Sequence, residues 1–285
     1  MILFFLNLLK LLNLPTPETP DRLTTDETIG FSSSSPPLTD SVLRKFGNRQ
    51  IITIFALTHA MFFWTMLTYC AVFLLLIVAY LLGSIPSAVW IGKHYFGVDI
   101  REHGSKNAGA TNMLRVLGLR AALPVFVIDF LKGFVAVTLM GFVRLNPEFS
   151  QAWVINLKIV AVAASVVGHI FPIFAGFRGG KGVSTLIGAV TAVQPNLAFL
   201  CFAVWVVVFV FTHYVSLASI VAGCCFPVFV VIFSTTLYNR YGDFSWIFII
   251  FSLSVALMLL WTHRANISRL RRGEESKIHL WKKKR

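Results

Sequence analysis

The residues best suited to chemistry stand together in one polar cassette, His103-Gly104-Ser105-Lys106-Asn107-Ala108-Gly109-Ala110-Thr111-Asn112-Met113-Leu114-Arg115. Gly104, Ser105, Asn107, Thr111 and Asn112 bring small hydroxyl and amide groups on a pliable backbone, and Arg115 closes the segment with a fixed cation. Such a composition wraps backbone N–H groups around an anion and is out of place in a loop facing lipid. The cassette is a candidate cradle for an anion.

Three further polar islands interrupt apolar sequence. Gly168-His169-Ile170-Phe171-Pro172 runs into Gly176-Phe177-Arg178-Gly179-Gly180-Lys181-Gly182-Val183-Ser184-Thr185. The paired glycines Gly179 and Gly180 let the chain approach a ligand closely, with Lys181 as a point charge for a phosphate. The likeness to a P-loop is superficial, because Ala175 and Gly182 hold the places where a Walker A motif needs Gly and Ser or Thr. A plain glycine turn with Lys181 anchored at the interface is the structural alternative. Tyr214 to Ile220 opens a helix, where Ser216 serves either as an N-cap or as a ligand and Ser219 permits close helix packing. In the segment from His263 to Glu275, His263 and Asn266 are spaced i, i+3 and share one face of a continuing helix, within reach of one hydroxyl or phosphate. Arg269, Arg271 and Arg272 suit anionic lipid headgroups. Asp129 and Lys132, also i, i+3 but inside an apolar run, can neutralise each other as an intramembrane ion pair or take a ligand.

The elements that position these islands are membrane helices. Of the 285 residues 56% are hydrophobic and 13% charged, far from the balance of a soluble domain. Mean hydropathy is +0.76. The net charge of +13 does not indicate a nucleic-acid partner, since the basic residues cluster in short segments flanking apolar runs. Four cysteines lie in apolar stretches without metal spacing and read as packing residues. Neither a metal nor a cofactor is expected. Candidate spans are Tyr69 to Gly92, Ala121 to Val143, Trp153 to Ala175, Pro195 to Thr212, Val215 to Thr236 and Ser245 to Thr262, with the short apolar run Val183 to Val193 between the third and fourth. Counting that run as a crossing gives seven helices. All the polar islands and the basic tail then share one face, leaving only Arg144 and Arg240 in the opposite short loops. The positive-inside rule favours this arrangement, an all-α polytopic membrane protein with its N-terminus outside and its tail in the cytoplasm.

Three segments are expected along the chain: an atypical N-terminal extension (1–60), a seven-helix membrane domain (61–276) and a basic cytoplasmic tail (277–285). In the extension, Pro15 to Ser41 is rich in Pro, Ser, Thr and acidic residues and is expected to be disordered. Ile51 to Trp90 is too long for one span and shows no turn signal for two. The expectation is that the functional chain starts near Met61 or Met66.

In their order along the chain, the islands resemble the bacterial acyl-phosphate glycerol-3-phosphate acyltransferases of the PlsY type. The likeness runs from about Val72 to Glu275 and takes in Tyr80-Leu81-Leu82-Gly83-Ser84-Ile85-Pro86, the Gly104–Gly118 cassette and Asp129-Phe130-Leu131-Lys132-Gly133. It continues through Gly168-His169, Arg178 to Thr185, Tyr214 to Ile220, and His263 with Asn266. Two departures stand out: Lys106 replaces the second glycine of the family's Gly-Ser-Gly-Asn, and Ala265 replaces a customary Glu.

The resemblance implies a multi-pass enzyme of the bacterial inner membrane, its active site facing the cytoplasm. It would move a fatty acyl group from acyl phosphate to the sn-1 hydroxyl of glycerol 3-phosphate. The implied partners are those two substrates, membrane lipid and a soluble enzyme that forms the acyl phosphate. It further implies that Ser105, Arg115, Lys181, His263 and Asn266 bind substrate or stabilise the transition state, with Gly104, Asn107, Thr111, Asn112, Gly179, Gly180 and Ser216 around them. An acyl phosphate is already an activated anhydride, so the protein needs no nucleophile; it must hold two phosphates together and aim one hydroxyl at a carbonyl. The leaving phosphate takes the proton, with His263 as the competing base.

Two other readings are weighed. His94-Tyr95-Phe96-Gly97-Val98-Asp99 fits the loose H-x-x-x-x-D spacing of acyl-CoA-dependent acyltransferases, although nothing around it resembles that class. A transporter or channel for a phosphorylated anion would also need basic loops and interrupted helices. No internal duplication supports that reading.

Overall fold

The computed structural model describes residues 48–145, 150–233 and 246–278. The expectations for Pro15 to Ser41 and for 279–285 lie outside them. The chain divides into two units, Met1–Leu67 and Thr68–Arg285. In the first, the described residues are the N-terminal part of one helix, α1 (Asn48–Gly83). The second continues α1 and adds α2 (Ser87–Phe96), α3 (Ala110–Leu117), α4 (Leu119–Met140), α5 (Gln151–Ile170), α6 (Val183–Val193), α7 (Pro195–Thr212), α8 (Val215–Ile232), α9 (Trp246–Thr262) and α10 (Arg264–Arg271). Among the described residues there is no strand.

Among the described residues, five segments are long and apolar enough to cross a membrane: Phe55–Phe96, Leu119–Val143, Gln151–Ala175, Pro195–Thr212 and Val215–Ile232. The pair α9 and α10, bent by 59°, makes a sixth if it counts as one span. At eleven residues α6 is about 16 Å long, short of a bilayer core.

Two expectations need correction. The run Tyr69 to Gly92 lies inside the crossing segment Phe55–Phe96, but its helix is interrupted. The ladder of α1 ends at Gly83, and α2 starts afresh after Pro86, which has no N–H to offer a continuing helix. The turn signal thought missing from Ile51 to Trp90 is this Pro86. Nor does one straight helix carry His263 and Asn266: His263 sits at the bend and Asn266 in the first turn of α10.

The core lies among α4 to α9, with Val137, Met140, Val162, Ala189, Leu197, Val230 and Val255 buried in it. At its centre α6 lies against α4 backbone to backbone. A Cβ on Gly133 would collide with the Thr185 carbonyl, and one on Gly188 with the Phe130 carbonyl. Small residues at such crossings gain dispersion contacts that lipid cannot give. Beside this crossing a polar knot ties α4 to the α1–α2 break. Asp129 Oδ1 accepts from Ser87 Oγ at 2.7 Å and pairs with Lys132 Nζ at 2.7 Å, while Lys132 also donates to the Ile85 carbonyl at 2.8 Å. The intramembrane charges are thus paired with each other, the structural half of the expectation.

Candidate active site

The cassette enters from a short 3₁₀ turn, Ile100–Glu102, capped by Asp99. The Asp99 carboxylate holds Arg101 at 2.7 Å and Lys93 at 3.1 Å, and Arg101 donates across to the Ala175 carbonyl at 2.9 Å, joining the cassette to the glycine island. The Arg101 guanidinium keeps Asp99 far below the usual carboxylate range. His94 is exposed and packs edge-on against Tyr95. The H-x-x-x-x-D pair is therefore not a catalytic couple: its acid belongs to two cations, and its histidine is exposed against Tyr95. His94→Ala should leave the activity of this site about unchanged, whereas Ser105→Ala should lower it by roughly tenfold or more. The reverse result in a product assay would overturn this assignment.

Within the cassette one buried amide sets the loop. Asn112 Oδ1 accepts from the Ser105 N–H at 2.9 Å, and its Nδ2 donates to the carbonyls of Ile100 (3.0 Å) and His103 (2.9 Å). Both of its donors are spent on backbone, so Asn112, expected among the substrate contacts, acts in this structure as the clamp that fixes Ser105. Ser105 lines three cavities at once, of about 760, 60 and 280 Å³. Arg115 borders the first two and Lys181 and Asn266 the last two. Thr111, Ser216 and His263 line the 60 Å³ chamber, Asn107 borders that chamber and the 280 Å³ cavity, Gly104 lines the 760 Å³ cavity and Gly180 the 280 Å³ cavity.

The glycine pair does something other than expected. The N–H groups of Gly179 and Gly180 are given to the carbonyls of Ile170 (3.2 Å) and His169 (3.1 Å), finishing the C-terminal end of α5. A Cβ on Gly179 would strike the His169 carbonyl, and one on Gly180 the His169 ring. The close approach in this structure is to α5, and Gly179 lines none of the three cavities that Ser105 borders. Its neighbour Lys181 is delivered into the site by this turn, where it donates to Asn266 Oδ1.

Sequence reasoning missed the hub of the site, Glu275. Its side chain is 1% exposed. Oε1 accepts from Ser216 Oγ (3.0 Å), Asn266 Nδ2 (2.8 Å) and Arg115 (3.1 Å), and Oε2 from Arg269 (2.7 Å). Ser216 is thus no N-cap, and Arg269 is paired with a carboxylate rather than turned to lipid headgroups. The available signal was an acid following Gly273, in the left-handed turn after α10, within a strongly basic segment. The tail is then strapped down: the Ile278 N–H donates to the His213 carbonyl at 2.9 Å, and the Lys277 ammonium lies 5.4 Å from the centre of the Tyr214 ring.

Electrostatics set the protonation states. Burial, opposed by the Glu275 charge and reinforced by Arg115 and Arg269, lowers Lys181 to about 8. Burial and then the charge of Lys181 push His263 down to about 4, so the ring is neutral at pH 7. Its Nδ1 lies 2.9 Å from the Leu259 carbonyl, which can only accept, so Nδ1 carries the proton and Nε2 is the free acceptor. Burial raises the Glu275 carboxyl, but the hydrogen bonds from Arg269, Asn266 and Ser216 outweigh it and hold the group below its ordinary value. Arg115 Nε, buried, finds no partner among the described residues. A buried donor left open in this way is a natural contact for an anion.

Next to the polar chamber runs an apolar groove of about 770 Å³ between α4, α6, α7 and α8, with Phe130, Val190, Phe202 and Phe226 among its walls. Thr111, Ser184 and Ser219 line both spaces. The arrangement offers cations to phosphate, a neutral imidazole to a hydroxyl and a hydrocarbon-lined trough to a chain.

Comparison with known proteins agrees with this geometry. A family profile described as Glycerol-3-phosphate acyltransferase matches residues 72–273. A protein of that name from Listeria monocytogenes serovar 1/2a is 44% identical over 205 residues, covering 72% of this chain and 96% of the relative. One from Chlorobaculum tepidum is 39% identical over 234 residues, covering 76% of this chain and all of the relative. Among solved structures, the glycerol 3-phosphate form of PlsY (YgiH), an integral membrane glycerol 3-phosphate acyltransferase, superposes with a TM-score of 0.63 at 36% identity over 73% of this chain and 96% of that one. Its lysophosphatidic acid form gives 0.61 at 34% identity over 74% and 96%.

Proposed function

The chain belongs to the glycerol-3-phosphate acyltransferase family, and from that premise we propose that it acylates the sn-1 hydroxyl of glycerol 3-phosphate, with acyl phosphate as the donor. It is an acyltransferase of phospholipid synthesis. The observation that carries the finer reading is the position of Ser105, at the meeting point of three polar cavities beside Arg115 and Lys181, next to a groove fit for a fatty chain.

In the proposed reaction the acyl chain lies in the groove and its phosphate meets Ser105, Arg115 and Lys181. The glycerol hydroxyl is oriented by His263 Nε2 and attacks the acyl carbonyl. A new ester C–O bond forms, the C–O bond to phosphate breaks, and the departing phosphate takes the hydroxyl proton. Lys181 and Arg115 offset the repulsion between two phosphorylated substrates and the charge growing on the carbonyl oxygen. No protein nucleophile takes part.

The topology proposed with this mechanism has seven crossings, α6 included, an outside N-terminus and a site open to the cytoplasm of a bacterial inner membrane. The concentration of basic residues in the cassette, the glycine island and the tail supports it. A soluble enzyme that makes acyl phosphate is the proposed supplier.

The test is to incubate purified protein in detergent with acyl phosphate and glycerol 3-phosphate. Stoichiometric release of orthophosphate and lysophosphatidic acid is expected, and acyl-CoA in place of acyl phosphate should give none. Folded protein that forms no product from acyl phosphate rejects the donor assignment.

A further inference from the structure

Lys106 occupies an unusual backbone state: its φ is +57°, in the left-handed region that residues other than glycine rarely enter. Its N–H donates to the His103 carbonyl at 3.0 Å. The side chain is exposed, and no hydrogen bond or ion pair engages its ammonium among the described residues. Non-glycine residues held in such conformations cluster where a side chain is needed at one place.

That place is the 280 Å³ cavity. Lys106, Lys181, Arg264 and Arg269 line it, and none of the residues along its wall is Asp or Glu. The nearby carboxylate, Glu275, is already committed to Arg115 and Arg269, so Lys106 and Arg264 bring positive charge that no acid offsets. The cavity adjoins the chamber, and Ser105, Asn107, Lys181 and Asn266 line both. In contrast to the chamber and the 760 Å³ cavity, it shares no residue with the apolar groove. A phosphate monoester without a tail fits such a space. An acyl phosphate, whose chain needs the groove, does not.

We propose that Lys106 is a substrate-binding residue whose ammonium receives the phosphate dianion of glycerol 3-phosphate in this cavity. The proposal rests on the acyltransferase reading above.

Lys106→Gly is a clean probe because glycine adopts φ +57° without strain, so the variant should melt no lower than wild type. In neutral detergent its dissociation constant for glycerol 3-phosphate, measured by titration calorimetry, should rise about five- to tenfold. KM for glycerol 3-phosphate should rise in parallel, with kcat and the KM for acyl phosphate within twofold of wild type. Ala265→Glu, which places an acid on the same wall, should weaken binding in the same direction, and Lys106→Arg should preserve it. Unchanged affinity in Lys106→Gly overturns the proposal. So does an effect seen only in vesicles containing an anionic phospholipid, since the lysine would then serve a lipid headgroup. Wild-type protein that binds glycerol 3-phosphate but forms no lysophosphatidic acid overturns the functional reading alone. Wild-type protein that does not bind it overturns both.

Discussion

Lys181→Ala is expected to lower kcat/KM for acyl transfer by roughly 10²–10³, the usual loss when a preorganised cation or donor facing developing negative charge is removed. Lys181 is held by Asn266 Oδ1 and borders both the reaction chamber and the cavity beside Lys106. Its role can be separated from a structural one by pH. With the free ammonium titrating at about 8, the active form is the protonated one, present below that value. The profile of kcat/KM, which reports the free enzyme, should therefore fall about tenfold per pH unit above 8. Lys181→Arg keeps its charge to far higher pH, so its residual activity should lose this alkaline limb. Retention of the limb in the arginine variant would assign it to another group.

Glu275 carries the second large effect, and here the expected loss is of the fold. Replacing it by Ala leaves Arg115, Arg269 and Lys181 crowded around a site with no compensating charge and strips the Ser216 hydroxyl and the Asn266 amide of a partner. Breaking one side of a buried charge cluster costs about 3–5 kcal/mol, or a drop in Tm on the order of 10 °C. The pH dependence has a definite sign. The folded carboxyl lies below its unfolded value, so its stabilisation is complete above the unfolded pKa and is lost as pH falls through the folded one. The Tm gap between wild type and Glu275→Gln should be wide at pH 7 and close in acid. Equal melting at pH 7 would show that the carboxylate is dispensable.

The sequence made the polar islands legible because an apolar chain has few reasons to hold Ser, Asn, Gly and Lys together. Ser105, Arg115, Lys181, Ser216, His263 and Asn266 do converge. Local pattern failed where the partner of a group lies far along the chain. Glu275 reads as one of two adjacent acids, and only folding distinguishes it from Glu274, which pairs with exposed Arg272. Asn112 reads as a ligand until its three backbone partners are seen, and Gly179 reads as a phosphate contact until α5 is found beneath it. Helix count was less legible than helix content. Apolar length does not record where a ladder is interrupted, and eleven residues of α6 satisfy no length rule.

The knot of Ser87, Asp129 and Lys132 bears on the order of biogenesis. The break after Gly83 and the start of α2 emerge from a ribosome more than thirty residues ahead of the two charges that engage them, Asp129 at the Ser87 hydroxyl and Lys132 at the Ile85 carbonyl. Until α4 arrives, the interrupted segment has only its own turn contacts to hold its shape in lipid. The carboxylate and ammonium that α4 carries neutralise each other within the helix, since neither could rest singly in hydrocarbon. The α4 charges therefore fasten the α1–α2 break, and the cassette lies in the stretch of chain between the two elements they join.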